Sequence, residues 1–323
     1  MALAAGRRTV IMSDDFKIVQ GSCPSCGSSD GELILDALHD VENNIQGDYA
    51  ISRCRACRLY YLSTRPDEAS LPACYDQNYH VRFNRSLTPL RRALFNARYA
   101  GRLRRLRRHC GGKVPSSMLE IGCGDGSMLI YLEQVLPPSV ELAGVELDAS
   151  HIALPAASRI RLYEADFDRL DLDRRFDVVL MYHVLEHFAH PVENLSRICS
   201  LLNPGGLLLV QVPNWDAWWR KAFPRHWNGL QIPRHQLFLQ PPTLEDLCLR
   251  SGFRTVKISG LIDPGDFAVS VCNWLTNRLR LKTLPRQAWF YMPMVILGGG
   301  VAAITNLVSD RAGELEAVAR PAG

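Results

Sequence analysis

The chain has 323 residues, of which 47% are hydrophobic and 22% charged, with 23 glycines, 19 prolines and 10 cysteines. That composition excludes a disordered chain and a disulfide-stapled miniprotein, and the length allows one large domain plus a smaller one. The net charge of +4 is modest but uneven, because Val81 to Pro115 holds eleven Arg and Lys and no Asp or Glu. The first ten residues carry two arginines but no long apolar run and no small-residue cleavage site, so residues 1–15 are expected to be a flexible N-terminus of a cytoplasmic chain.

The next feature is a pair of cysteine knuckles, Cys23-Pro-Ser-Cys26 and Cys54-Arg-Ala-Cys57, separated by 27 residues that include the alternating stretches ELILDAL and DYAISRC. Each knuckle offers two thiolates at about 2.3 Å to one tetrahedral Zn²⁺, and the pattern resembles a zinc ribbon. Four thiolates close the coordination sphere, so the expected role is folding rather than catalysis. A redox use would need one pair to open a helix in a βαβ unit, whereas both pairs sit among hairpin-like segments.

Leu87, Leu90, Leu94, Leu103 and Leu106 then recur at near-helical spacing among Arg91, Arg92, Arg98, Arg102, Arg104, Arg105, Arg107 and Arg108. A basic amphipathic helix is expected. Three uses fit it: tracking nucleic-acid phosphates, lying on an anionic membrane surface, or linking two domains by a solvated face.

From Ser117 the pattern becomes strand, glycine turn, helix, strand. SMLEIG is a strand, SMLIYLEQVL a helix, VELAGVEL a strand ending near Glu146, RIRLYEAD a strand closing at Asp166, and FDVVLMYH and the stretch after NPGG two more. Such alternation predicts a mostly parallel, doubly wound sheet whose ligand lies beyond the carboxyl ends of its central strands. The loop Gly122-Cys-Gly124-Asp-Gly126 is one residue short of the dinucleotide fingerprint, with Ser127 where that fingerprint has Gly or Ala, and no Gly-Lys-Ser/Thr follows to make a P-loop.

EIGCGDG, GVELD, EADF, DVVLMYHVLEHFAHPVENL and LLNPGGLLLVQVPN together resemble the class I S-adenosylmethionine-dependent methyltransferases, in order, from about residue 117 to 260. The resemblance implies an α/β fold: a Rossmann-like seven-stranded sheet, here with a small N-terminal zinc-ribbon domain. It implies S-adenosylmethionine as cofactor, with Glu120, Gly122, Gly124, Gly126, Glu146, Asp166 and His183 around it. Glu146 would accept from the ribose hydroxyls and Asp166 from the adenine amine, while Glu120 anchors the loop or the cofactor's amino group. Asp125 and Asp148 read equally well as turn or cap residues, and Cys123 as merely small. The expected boundaries are 16–64 for the ribbon, 65–115 for the basic connector, 116–265 for the methyltransferase core, 266–311 for an apolar helical insert, and 312–323 for a last strand and tail.

Methyl transfer to a hydroxyl needs an aligned nucleophile and a group that takes its proton. His183 and His235 are the candidates. His183-Val-Leu-Glu186-His187 also spells the HxxEH of one metalloprotease class, but that site needs a long helix, and here the motif directly follows a strand. The segment from Asn214 to Phe253 resembles the one after strand five in bacterial methyltransferases of glycan and lipid clusters. There Pro233-Arg234-His235 offers a base and an anion contact, with Gln231 where relatives carry an acid. Trp215, Trp218, Trp219 and Trp227 are candidates to stack on a sugar or an isoprenoid, or to pack as core or lid.

Gln287 to Ser309 carries no charge. Because GELEAVAR is expected to pair beside FRTVKIS, a single membrane crossing is forbidden, leaving a surface-lying or re-entrant helix pair, or core. The resemblance to methyltransferases of glycan and lipid clusters implies an acceptor oxygen, or less readily a carbon, on a small-molecule, glycan or lipid-linked intermediate; with the apolar segment, peripheral contact at the inner membrane face is expected, and no nucleic acid. The competing readings are an RNA methyltransferase using the ribbon and connector, and a non-catalytic zinc-ribbon adaptor.

Overall fold

The computed structural model describes residues 16–41, 45–75, 89–279, 291–308 and 311–321. The expected flexible N-terminus and Leu87 lie outside the described residues, as do the side chains of Leu90, Arg91, Arg92 and Leu94 and, in the apolar segment, Gln287 to Phe290 and Ser309.

In chain order the first strands are β1 (Ile18–Gln20), β2 (Gly31–Leu38), β3 (Tyr49–Cys54) and β4 (Tyr60–Pro66), followed by α1 (Pro89–His109) and β5 (Ser117–Ile121). Next come α2 (Ser127–Val135), β6 (Glu141–Glu146), β7 (Arg161–Glu164), β8 (Phe176–Tyr182), α3 (Pro191–Ser200) and β9 (Leu202–Pro213). The chain ends with α4 (Trp218–Ala222), β10 (Leu237–Phe238), α5 (Pro241–Arg250), β11 (Phe253–Leu261), α6 (Gly265–Arg278), α7 (Tyr291–Val308) and β12 (Glu314–Pro321).

These elements form two compact units built from interleaved segments rather than from consecutive ones. One takes 1–76, 213–240 and 260–314, and the other takes 77–212, 241–259 and 315–323. The expected division at 64, 115 and 265 follows the sequence blocks; the packing does not.

The second unit carries the seven-stranded sheet, in the order β11-β12-β9-β8-β5-β6-β7. β5 pairs parallel with both β6 and β8, so the chain leaves β5 toward one side and later returns on the other. That reversal is the switch point at which such sheets open a ligand crevice. The five residues of β5 are all buried, which explains why its sequence after Ser117 is apolar but for one acid, Glu120. GELEAVAR forms β12 and lies beside β11, as the sequence predicts.

The basic helix is part of this unit's core. Leu103 and Leu106 are buried in one cluster with Met118, Leu129, Leu132 and Leu142, each such side chain contributing about 1.5–3 kcal/mol. Arginines on the same side turn inward as well. Arg105 Nε donates to Glu316 of β12 at 2.8 Å, and Gln211 Nε2 donates to the same carboxylate oxygen at 2.8 Å. The expected amphipathic helix thus lays one side on the core of this unit, so a linker, membrane or phosphate use is confined to the side left in solvent. Only its other side, with Arg104, Arg107 and Arg108, is exposed.

The first unit holds a second sheet, ordered β1-β4-β3-β2, with β10 pairing antiparallel to β4. Its core joins Leu38, Tyr49, Ile51 and Leu62 of the hairpins to Trp215, Trp227, Leu230 and Phe238 of the 213–240 segment. The apolar insert is a helix pair, α6 and α7. Gly298 of α7 faces Phe267, whose Cβ would lie 2.5 Å from a side-chain carbon placed on that glycine, so bare backbone lets the two helices approach. The opposite side of α7 exposes Met292, Ile296 and Leu297 at 48%, 72% and 60%. Among the described residues no helix is long and apolar enough to cross a membrane.

Candidate active site and metal centre

In the second unit β5 runs directly into the glycine loop, which Val145 of β6 holds by accepting the amide hydrogens of Gly122 at 2.8 Å and Cys123 at 3.1 Å. The three glycines have left-handed φ of 65°, 57° and 72°. Their bareness serves different ends. A Cβ on Gly122 would lie 2.5 Å from Val184 Cγ2, so this glycine admits the chain after β8; a Cβ on Gly124 would meet nothing within 4 Å, so the side-chain direction there is open.

Glu146, the last residue of β6, is buried and turns its carboxylate onto the loop. It accepts the Gly124 amide hydrogen at 2.6 Å and that of Leu147 at 3.0 Å. Glu120 is 4% exposed, and its Oε2 has no hydrogen-bond partner. Burial raises its carboxyl to about 8; the Arg102 guanidinium opposes that shift, while Asp125 and Glu146 add to it. A buried carboxylate with an orphaned oxygen fits a ligand that brings a cationic donor. The ammonium group of S-adenosylmethionine is such a donor, so the residues present fit that cofactor.

Other predicted residues take quieter places. Asp125 accepts the Ser127 amide hydrogen at 3.0 Å and Asp148 that of Ser150 at 3.0 Å, both turn contacts. Asp166 follows β7, is exposed, and accepts the Asp168 amide hydrogen through one oxygen at 3.1 Å. Burial pushes the Cys123 thiol up, which fits a small filler and not a nucleophile.

His183 follows β8 with φ 58°, and its amide hydrogen goes to the Gln211 carbonyl at 2.9 Å. Its ring Nδ1 lies 3.4 Å from Glu186 Oε1, a carboxylate only 1% exposed. The HxxEH letters thus span a strand end and a short 3-10 turn, Leu185–His187, not the long helix a helix-borne zinc site requires.

His235 belongs to the first unit and is 2% exposed. Its Nδ1 lies 2.9 Å from the Gly229 carbonyl. A carbonyl only accepts, so the proton sits on Nδ1 and the basic lone pair on Nε2. Arg234 is equally buried, with Nη1 4.0 Å from Asp40 Oδ2. The sequence offered Arg234 as an anion contact, and the carboxylate beside it comes from the protein itself. Of the four tryptophans, Trp215 and Trp227 are core, and the Trp227 indole donates to Asp266 of α6 at 3.1 Å.

Two neighbours of the loop escaped the sequence reading. Tyr99 of α1 hydrogen-bonds Ser127 at the start of α2, and the Arg102 guanidinium stacks 3.7 Å over the Tyr182 ring. Both put α1 beside the glycine loop. The His151 ring also reaches the Gly124 carbonyl at 3.1 Å.

The four cysteines converge in the first unit. Cys23 and Cys57 sulfurs stand 3.5 Å apart, as do those of Cys26 and Cys54, and all four lie within 4.8 Å of one another. Tetrahedral Zn–S bonds of about 2.3 Å imply sulfur separations of about 3.8 Å, so the donor set fits Zn²⁺. The knuckles are built alike. Gly27 and Arg58, each four residues after its first cysteine, are left-handed at φ 74° and 66° and donate their amide hydrogens to the Cys23 and Cys54 carbonyls at 2.8 and 3.0 Å.

Comparison with known proteins bears on the segment that holds most of the second unit and the 213–240 stretch of the first. A family model described as a methyltransferase domain matches residues 93–258, just over half of the chain and including most of α1. A protein of Mycolicibacterium smegmatis named "Probable S-adenosylmethionine-dependent methyltransferase" is 27% identical over 51% of this chain and 61% of its own. A ubiquinone biosynthesis O-methyltransferase of Nitrobacter winogradskyi is 27% identical over 45% of this chain and 59% of its own. The chain thus spans less than two thirds of either relative. Among solved structures, the plantazolicin methyltransferase BpumL with a desmethylPZN analogue and SAH is 19% identical, with a TM-score of 0.43 over 80% of this chain and 91% of that one. The family match, the strand order and the glycine loop between two acids agree: the chain belongs to the methyltransferase-domain family, as a class I S-adenosylmethionine-dependent methyltransferase.

Proposed function

We propose that this protein transfers a methyl group to an oxygen of a small glycan or lipid-linked acceptor. The observation that carries the reading is Glu120, a buried carboxylate with an orphaned oxygen, one strand away from Glu146, whose carboxylate holds Gly124, a glycine with its side-chain direction open. S-adenosylmethionine, when bound, supplies a methyl group on a positively charged sulfur. Glu120 holds the ammonium end, Glu146 the ribose hydroxyls, and Gly122 to Gly126 the path between, with Asp166 as the acceptor for the adenine amine. His235 and His183 are the groups that take the acceptor's proton: the Gly229 carbonyl holds the proton of His235 on Nδ1, and the Glu186 carboxylate beside His183 Nδ1 would stabilise the protonated ring.

The oxygen acceptor draws support from the O-methyltransferase relative, and a lipid-linked one from α7, whose exposed side chains are apolar among the described residues. From Phe267 to Ser309 the sequence has no Asp or Glu, while Arg278, Arg280, Lys282 and Arg286 are basic. A sequence of that charge, next to an apolar helix side, suits peripheral contact with an anionic leaflet from the cytoplasmic side. Zn²⁺ in the four-cysteine site is structural.

Calorimetry with S-adenosylhomocysteine tests the cofactor site, and absence of binding to the folded protein would favour a non-catalytic adaptor. Mass spectrometry of lipid and polysaccharide extracts, with and without the protein, tests the acceptor; one methylene of added mass is expected. Methylation found only on RNA would overturn the glycan or lipid reading.

A further inference from the structure

The ribbon and the histidine loop are one construction. β4 begins three residues after Cys57, and its Tyr60 and Tyr61 pair with Phe238 and Leu237 of β10. Leu62 donates its amide hydrogen to the Gln236 carbonyl at 2.9 Å, next to His235. On the other side of the histidine, Arg234 is buried against Asp40, which follows β2 and also accepts the Ile45 amide hydrogen at 3.3 Å. Behind the loop, Trp215 and Trp227 fill the core that Tyr49, Ile51 and Leu62 of the hairpins begin. His235 therefore has neighbours on both sides in sequence bound to strands that the cysteine knuckles terminate.

The hairpins bring little core of their own. β2 is exposed at most of its positions, and Cys54 closes β3 by donating its amide hydrogen to the Leu59 carbonyl at 2.9 Å. A sheet this small needs a metal or borrowed apolar side chains to hold its register. Both meet at β4.

We propose that the four-cysteine metal site is a positioning element for His235: metal on Cys23, Cys26, Cys54 and Cys57 fixes β3 and β4, and β4 with Asp40 fixes the Arg234–Phe238 segment. The link rests on the reading of His235 as a proton acceptor only for its catalytic consequence. The tether itself is measured without any acceptor.

The test uses the full chain, with zinc stripped by a chelator and then restored, followed by amide hydrogen exchange and by ring ¹⁵N signals of labelled histidine assigned with His235→Gln. Metal removal is expected to speed exchange at residues 236–238 at least tenfold and to move the His235 signal from one fixed Nδ1–H tautomer toward that of a free imidazole. Zinc is expected to restore both. Affinity for S-adenosylhomocysteine should stay within twofold. Faster exchange at 23–27 and 54–58 with 236–238 unchanged overturns the link. So does equal loss of protection along Gly265–Arg278, which would mean that the metal holds the whole unit. Asp40→Asn keeps all four thiols and should retain one zinc per chain while loosening 234–238; an unchanged His235 signal there also counts against the link. Undiminished methylation by His235→Gln would remove the proton-acceptor role and leave the tether standing.

Discussion

Glu146 accepts the amide hydrogen of Gly124 at 2.6 Å, so the acid at the tip of β6 fixes the middle of the glycine loop. In the proposed cofactor site the same carboxylate would also meet the ribose hydroxyls. Glu146→Ala removes a charge-assisted hydrogen bond worth about 1.5–3 kcal/mol. The expected result is a fall of tenfold or more in S-adenosylhomocysteine affinity by calorimetry, with Glu146→Gln intermediate.

Glu120 makes the opposite contribution to stability. Its carboxyl titrates near 8 in the folded protein because burial disfavours the charge. The folded state binds that proton more tightly than the unfolded state, so this group's contribution falls as pH rises from about 4.5 to 8. Glu120→Gln should flatten that loss and raise the melting temperature above pH 8, by about 1–3 kcal/mol of relieved desolvation. Cofactor affinity should drop in the same variant. A variant no more stable than wild type at pH 9 would remove the buried, unpaired assignment.

The Arg105 to Glu316 pair joins the basic helix to the last strand, with the Glu316 side chain 1% exposed. Arg105→Met leaves that carboxylate buried without its cation and should cost about 3–5 kcal/mol in urea unfolding. Arg105→Met combined with Glu316→Leu should recover most of the loss. A neutral single variant would mean that α1 is only draped on the sheet.

The second knuckle is conformationally strained where the first is not. Arg58 sits at φ 66°, the position glycine occupies in the first knuckle at φ 74°. Arg58→Gly relieves a left-handed side-chain cost of about 1–2 kcal/mol and adds about 0.4–1 kcal/mol of unfolded-state entropy. A gain of up to about 1 kcal/mol is expected, with zinc content unchanged.

The exposed side of α7 provides the membrane test. Ile296→Asp with Leu297→Asp places two charges where 72% and 60% of each side chain already meets solvent, so folding should be spared. Flotation with vesicles containing anionic phospholipid should capture the native chain and lose the double variant. Equal flotation of both, or of neither, would end the proposed leaflet contact.

Much of the second unit was legible beforehand because its signals are local. An apolar run such as MLEIG can only be a buried strand in an alternating α/β pattern, and three closely spaced glycines after it mark a place where backbone must stay bare. The cysteine spacing was equally direct, since two thiolates on one turn have few uses in a chain of this length. What the letters hid was division of labour. Gly122 answers to Val184 and Gly124 to open space, yet both read as the same glycine. Arginine density around α1 concealed that Leu103, Leu106, Arg102 and Arg105 share an inward side, because a helix's partner is not written in its own sequence.

The sequence alone determined the strand alternation, the two acids at strand tips, the bare loop and the four thiols, each a property of a few consecutive residues with fixed steric or coordination needs. The tertiary structure alone decided that Pro233-Arg234-His235 belongs with the ribbon, that Asp40 lies beside Arg234, and that α1 is core. Those depend on contacts between segments far apart in the chain, where loop-closure entropy is offset only by buried area and paired charge, and no short stretch records which partner meets that cost.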